Sequence, residues 1–126
     1  MLAGSESFST FSTSDLDEAK KFYGDVLGLK ISENKMGLLE LHLKNNSVLI
    51  YPKPDHEPAA FTVLNFKVRE IEKQVDELNK KGIQFEKYDN GHIKTNSKGI
   101  HTSKSGPSVA WFKDPAGNIL SIIEEK

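Results

Sequence analysis

Ala110-Trp111-Phe112-Lys113-Asp114-Pro115-Ala116-Gly117-Asn118-Ile119-Leu120-Ser121-Ile122-Ile123-Glu124 sets two apolar runs, Val109–Phe112 and Ile119–Ile123, on either side of a tight-turn composition. Pro115 presets φ and Gly117 supplies φ > 0, so the stretch reads as a β-hairpin. An antiparallel pair this apolar must close a sheet, and the rest of the chain reads as material built around or against it.

Working outward, the 126 residues fit a single domain able to bury roughly two thirds of its unfolded surface. Seventeen basic and 18 acidic residues are mixed without clustering by sign, so nothing points to nucleic acid or an anionic membrane as partner. Cysteine is absent, which excludes disulfides, thiolate metal sites and a cysteine nucleophile. No apolar run approaches the ~20 residues of a spanning helix, and the first residues lack the regions of a signal peptide. The expected location is therefore cytoplasmic.

From the start of the chain, Phe8–Thr13 alternates as a strand does, and Ser14 or Asp15 can cap a helix. Leu16, Ala19, Phe22, Tyr23, Val26 and Leu27 recur at helical spacing, and Gly28 ends the helix. Leu29–Glu33, Leu38–Lys44 and Ser47–Tyr51 follow as strands, giving a first module over about residues 6–52. Three prolines in Pro52-Lys53-Pro54-Asp55-His56-Glu57-Pro58 make residues 52–58 a linker. The pattern then repeats over about residues 60–125: a strand at Phe61–Val68, a helix at Glu70–Lys81 closed by Gly82, a strand at Ile83–Tyr88, and the hairpin. The offset is about 54 residues, measured from Gly28 to Gly82, and implies a tandem supersecondary unit. Only Asp89–Pro107 breaks the parallel. A polar segment of that length is either disordered or a cover for a binding site.

The βαβββ order twice over, Ser14-Asp15-Leu16-Asp17 with Phe22-Tyr23 and Leu27-Gly28-Leu29, the Val68, Ile71, Leu78, Gly82 echo and the closing Trp111 to Asn118 resemble the vicinal oxygen chelate superfamily, which holds glyoxalases, bleomycin-resistance proteins and extradiol dioxygenases. The resemblance implies an α+β fold of two tandem βαβββ modules whose curved sheets form a cleft, commonly in a homodimer. Enzymes of this family hold a divalent metal with one His, Glu or Gln from each first strand and one carboxylate from each last strand. Carried over residue by residue, those positions fall on Phe8, Val63, Ile50 and Ser121. Three are hydrocarbon and one is a neutral hydroxyl, so no metal and no other cofactor is expected. A register error of one does not restore the site.

Other groups capable of chemistry are few. If Leu39, Leu41 and Leu43 face a helix, alternation sends Glu40 and His42 to the opposite face, where they can bind or relay a proton. His92 and His101 lie in the long loop and His56 in the linker, and solvation is the plainer reading of each. No serine elbow or phosphate-binding glycine motif is present. If Phe8, Ile50, Val63 and Ser121 share the cleft face, Thr10, Ser12, Val48, Phe61, Asn65, Ile119 and Ile123 share it too, with Leu64, Phe66, Val68, Leu120 and Ile122 beneath the helices. Asn65 and Ser121 are then sparse polar points, and Trp111 or Phe112 adds an aromatic wall.

The first expectation is a non-metal protein that binds a small apolar or aromatic molecule through Phe8, Ile50, Val63, Asn65, Trp111 and Ser121, without chemistry. The alternatives are a metal-dependent lyase or dioxygenase using Glu40, His42 or His101, and an interaction module with a filled cleft.

Overall fold

The computed structural model describes residues 1–125 and divides into two compact units, Met1–Pro58 and Ala59–Lys126. In the first unit, β1 (Ser9–Thr13) leads to α1 (Leu16–Lys20), followed by β2 (Lys30–Glu33), β3 (Leu39–His42) and β4 (Ser47–Pro52). The sheet order is β1-β4-β3-β2, with β1 parallel to β4 and the other pairs antiparallel. Asp15 caps α1: its Oδ1 accepts from the amides of Asp17 and Glu18 at 3.0 and 3.2 Å. Beyond Lys20 the helix widens to a π-helical turn over Lys21–Val26, in which the Leu27 amide donates to the Phe22 carbonyl at 2.9 Å. The sequence pattern shows only one continuous helix here. Gly24 lies in the widened turn, where a Cβ would stand 2.8 Å from Ile31 Cδ1, so the helix backbone approaches β2 directly.

The core of this unit is Tyr23 and Ala19 over Leu39, Leu41, Val48 and Ile50, all buried. Burial of this kind is worth roughly 25 cal/mol per Å² of apolar surface. The register corrects the expected face assignment. Ile50 pairs with Phe11, and Phe11 meets Tyr23 with ring centroids 6.3 Å apart, so Ile50 and Val48 belong to the helix-packed face. Phe8, expected in the first strand, precedes β1 and is 61% exposed. By alternation it shares a side with Thr10 and Ser12, not with Ile50. The apolar core stripe of β4 thus runs one residue out of phase with the carried-over position. The expected linker also folds back: Pro52 closes β4, the Lys53 amide donates to the Thr13 carbonyl at 3.0 Å, and His56 Nδ1 lies 2.6 Å from Ser12 Oγ.

The second unit has the same permutation. β5 (Thr62–Lys67), α2 (Ile71–Lys80), β6 (Ile100–Thr102), β7 (Ser108–Lys113) and β8 (Ile119–Glu124) form a sheet in the order β5-β8-β7-β6, with β5 parallel to β8. Leu120, Ile122, Ala110 and Phe112 are buried together with Ile71 and Val75 of α2. Here the expected alternation holds: Leu64 pairs with Leu120 and Phe66 with Ile122, while Asn65, Ser121 and Trp111 align on the other side.

The expected strand at Ile83–Tyr88 is a correction. Only Phe85 bridges the sheet, opposite Phe112, and the Glu86 amide donates to the Trp111 carbonyl at 2.8 Å. The edge of β7 is shared: Ser108–Ala110 takes β6, and only Trp111 and Phe112 remain for residues 85–86. The strand therefore comes from inside the segment expected to be loop. That segment is folded, with bridges Asp89 to Lys94 and Thr95 to His101. Asn90 Oδ1 accepts from the amides of His92 and Ile93, and Asn96 Oδ1 from those of Lys98 and Ile100, so two asparagine side chains close its turns. Among the described residues no helix is long and apolar enough to cross a membrane.

Candidate functional site: an aromatic hollow beside the closing hairpin

The closing hairpin is held by its own turn. Asp114 is buried, its Oδ1 accepts from the amides of Ala116 and Asn118, and its Oδ2 accepts from Asn118 Nδ2 at 2.9 Å. This fixes the register that sets Trp111 opposite Ser121. Ser121 in turn stands opposite Asn65 across the parallel pair, so Asn65, Ser121 and Trp111 make one row across three strands. The Ser121 hydroxyl is wholly buried and donates to Asn65 Oδ1 at 2.5 Å. A β-bulge between Thr62 and Leu64 leaves Val63 without a partner opposite it in β8.

Beside this row lies a hollow of about 340 Å³, at the small end for ligand sites. Phe61, Thr62, Tyr88, Ile93, Trp111 and Ile119 line it, with Ala60 and Asn90. Tyr88 meets Trp111 edge-on at 5.5 Å, and His101 lies 6.3 Å from the same indole. Edge-to-face contacts of this kind hold aromatic rings in place without filling the space before them. Burial pushes the Tyr88 phenol above its ordinary pKa, Glu86 adding in the same direction, so it stays neutral and can donate. Among the described residues no charged side chain lines the hollow.

Of the expected site residues, Asn65, Ser121 and Trp111 thus come together, and Phe61 and Ile119 line the hollow; Phe112 packs in the core. Tyr88, Asn90 and Ile93 escape the sequence reading, although the Asn90-Gly91 turn that brings Ile93 back was a usable signal. His101 holds to the loop backbone through Lys94, its Nδ1 lying 3.1 Å from that residue's carbonyl oxygen. His92 is exposed.

In the first unit, Glu40 and His42 do face away from the helix. His42 Nε2 is 2.7 Å from Ser32 Oγ, and its Nδ1 is 3.9 Å from Glu40 Oε2. A separate hollow of about 320 Å³ is lined by Ser12, Tyr51, Lys53, Asp55 and Glu57. A hydrogen bond between Lys53 and Asp55 raises the lysine's pKa and lowers the carboxyl's, so the pair stays ionised there. Among the described residues no group of three His, Asp or Glu side chains is placed to hold a metal ion. The four carried-over positions, Phe8, Ile50, Val63 and Ser121, hold a phenyl ring, two aliphatic chains and a hydroxyl, none of them an imidazole or carboxylate ligand.

The fold recurs in solved structures. A protein of the glyoxalase, bleomycin-resistance and dioxygenase superfamily from Sphaerobacter thermophilus aligns with TM-score 0.74 and 20% identity, covering 99% of this chain and 100% of its own. An antibiotic-binding protein from a Streptomyces species aligns at 0.68 and 20%, covering 98% of each chain. A lactoylglutathione lyase from Agrobacterium tumefaciens aligns at 0.65 and 21%, covering 96% of this chain and 93% of its own. At these identities the likeness shows the fold alone, and that fold hosts both an enzyme and a binding protein. No match was found among curated protein sequences. The family model for Glyoxalase/Bleomycin resistance protein/Dioxygenase superfamily matches residues 9–122, and on that match, with the two βαβββ units behind it, the chain belongs to this superfamily.

Proposed function

We propose that the protein is a non-metal member of the superfamily that binds a small apolar or aromatic molecule in the hollow of residues 59–126 and holds it without chemistry. The observation that carries this reading is the lining itself: Phe61, Tyr88, Trp111, Ile93 and Ile119 surround the space, and among the described residues no ionised or metal-ligating side chain lines it. Apolar area supplies affinity in such a site, and a few polar groups fix orientation. The antibiotic-binding relative supports the reading by analogy of fold. The near-neutral charge favours an uncharged ligand over nucleic acid or membrane, and the family resemblance favours a cytoplasmic homodimer.

One observation favours a second reading, a lyase or dioxygenase that recruits Glu40 and His42. His42 stands between Ser32 and Glu40, an order in which an imidazole can pass a proton. Metal analysis of the purified protein with a thermal-shift screen of small aromatic compounds separates the two. The binding reading expects saturable stabilisation by at least one compound, abolished in Trp111→Ala. A stoichiometric transition metal lost on Glu40→Ala or His42→Ala would instead establish the enzyme, and a screen without any shift would leave the hollow without a ligand.

A further inference from the structure

Asn90-Gly91 is the sole Asn-Gly step in the chain, and Asn90 lines the hollow. In such a step the next residue's amide nitrogen can attack the asparagine side-chain carbonyl, because glycine brings no Cβ to obstruct the approach. The turn favours that reaction. Among the described residues no acceptor meets the Gly91 amide, so the attacking nitrogen is not tied up. Asn90 Oδ1 accepts from the amides of His92 and Ile93 at 3.2 and 2.9 Å, and the same donors can hold the negative charge that develops on that oxygen during attack. Asn90 and Gly91 are both exposed, so water reaches the leaving nitrogen, which has no partner among the described residues.

We propose that Asn90 is a modification site at which the chain deamidates itself, and that the product places a carboxylate in the uncharged lining of the hollow. The Gly91 nitrogen loses its proton to solvent and bonds to Asn90 Cγ. The Cγ–Nδ2 bond breaks, and the Nδ2 group takes a proton from solvent and leaves as ammonia. One water molecule then opens the resulting succinimide. Opening at the side-chain carbonyl gives aspartate; opening at the backbone carbonyl gives isoaspartate, whose main chain is one atom longer. Aspartate keeps the turn, since its carboxylate still accepts from His92 and Ile93, whereas isoaspartate shifts the turn and Ile93 with it. Either product puts a negative charge into the space that Trp111 also lines. Asn96 closes a similar turn, its Oδ1 on the amides of Lys98 and Ile100, but Ser97 follows it and a side chain there obstructs the attack.

The test ages the folded protein in warm, mildly alkaline buffer and follows its tryptic peptides by mass. The peptide over residues 88–94, released by cleavage after Lys87 and Lys94, should gain the mass difference between an amide and an acid several-fold faster than the peptides carrying Asn96 or Asn45-Asn46. An isoaspartyl methyltransferase should label the same peptide. Trp111 is the sole tryptophan, so quenching of its emission by iodide at low ionic strength should fall in the aged protein and in Asn90→Asp, where a like charge repels the quencher. Quenching of Asn90→Asp by neutral acrylamide should match the native protein, which shows that the hollow itself is kept. A peptide over 88–94 that holds its mass, or converts no faster than the other two, overturns the modification site. Conversion with iodide quenching unchanged in Asn90→Asp overturns the charge placed in the hollow. Neither readout uses a ligand, so failure here is distinct from failure of the binding reading.

Discussion

At the scale of single residues, Ser121 ties the register of the closing hairpin to a buried hydrogen bond. A metal enzyme of this family would place a carboxylate there; here a neutral hydroxyl sits at 0% exposure with its proton on Asn65. Ser121→Ala should cost ~1 kcal/mol, the net worth of a buried hydrogen bond, and Ser121→Asp several times more, because an ionised carboxylate in that position has no counter-charge. Urea denaturation midpoints of the two variants measure this directly. Tyr88 supplies a pH dependence. Burial holds its phenol above the ordinary value, so the unfolded chain ionises first as pH rises. The stability this contributes is complete below the ordinary phenol range, near pH 10, and is lost as pH climbs from there toward the folded value. Tyr88→Phe should remove that part of the alkaline decline, seen as a shallower loss of denaturation midpoint between about pH 9 and 11.

At the scale of elements, the two helices begin in different ways, and only one was legible. Asp15 caps α1 from the residue before it, a local signal that sequence displays. At α2, Glu70 occupies the N-cap position with φ +53 and gives no side-chain cap; the Ile71 amide donates instead to Glu124 Oε1 of β8 at 3.1 Å. A cap supplied 53 residues away has no local signature. Glu124→Ala should destabilise by ~1 kcal/mol, and Glu70→Gly should stabilise by ~0.5–1 kcal/mol by relieving the left-handed backbone; thermal denaturation reads both. The strand at Ile100–Thr102 was hidden for a similar reason. Ile83–Tyr88 has the better strand composition, but competition for one edge of β7 is decided by pairing across the sheet, which local composition does not record. Amide exchange should find Asn96 and Thr95, which donate to the carbonyls of Ile100 and Tyr88, slower than Ser105 in the same stretch.

At the scale of the whole molecule, the duplicated topology was readable from periodicity and glycine spacing, since Gly28 and Gly82 both end their helices at positive φ. The faces were readable in one unit and not in the other. In β5 and β8 polar Asn65 and Ser121 mark the side away from the helix, whereas β4 carries Val48, Leu49, Ile50 and Tyr51 in succession and offers no polar marker of its phase. That is why Ile50 falls in the core while Ser121, Asn65 and Trp111 fall in line. The hollow was half legible: its strand residues follow from alternation, but Tyr88, Asn90 and Ile93 arrive through turns closed by Asn90. The central claim is that this hollow takes a small aromatic or apolar molecule against Trp111. Trp111 is the sole tryptophan of the chain, so its emission reports on the hollow alone. Titration of the intact protein with a panel of uncharged one- and two-ring compounds should give a saturable change in that emission for at least one of them. The same compound at 100 times its Kd should stabilise the fold by ~2.7 kcal/mol. Emission that no compound alters at saturation, with denaturation midpoints equally unmoved, would contradict the account.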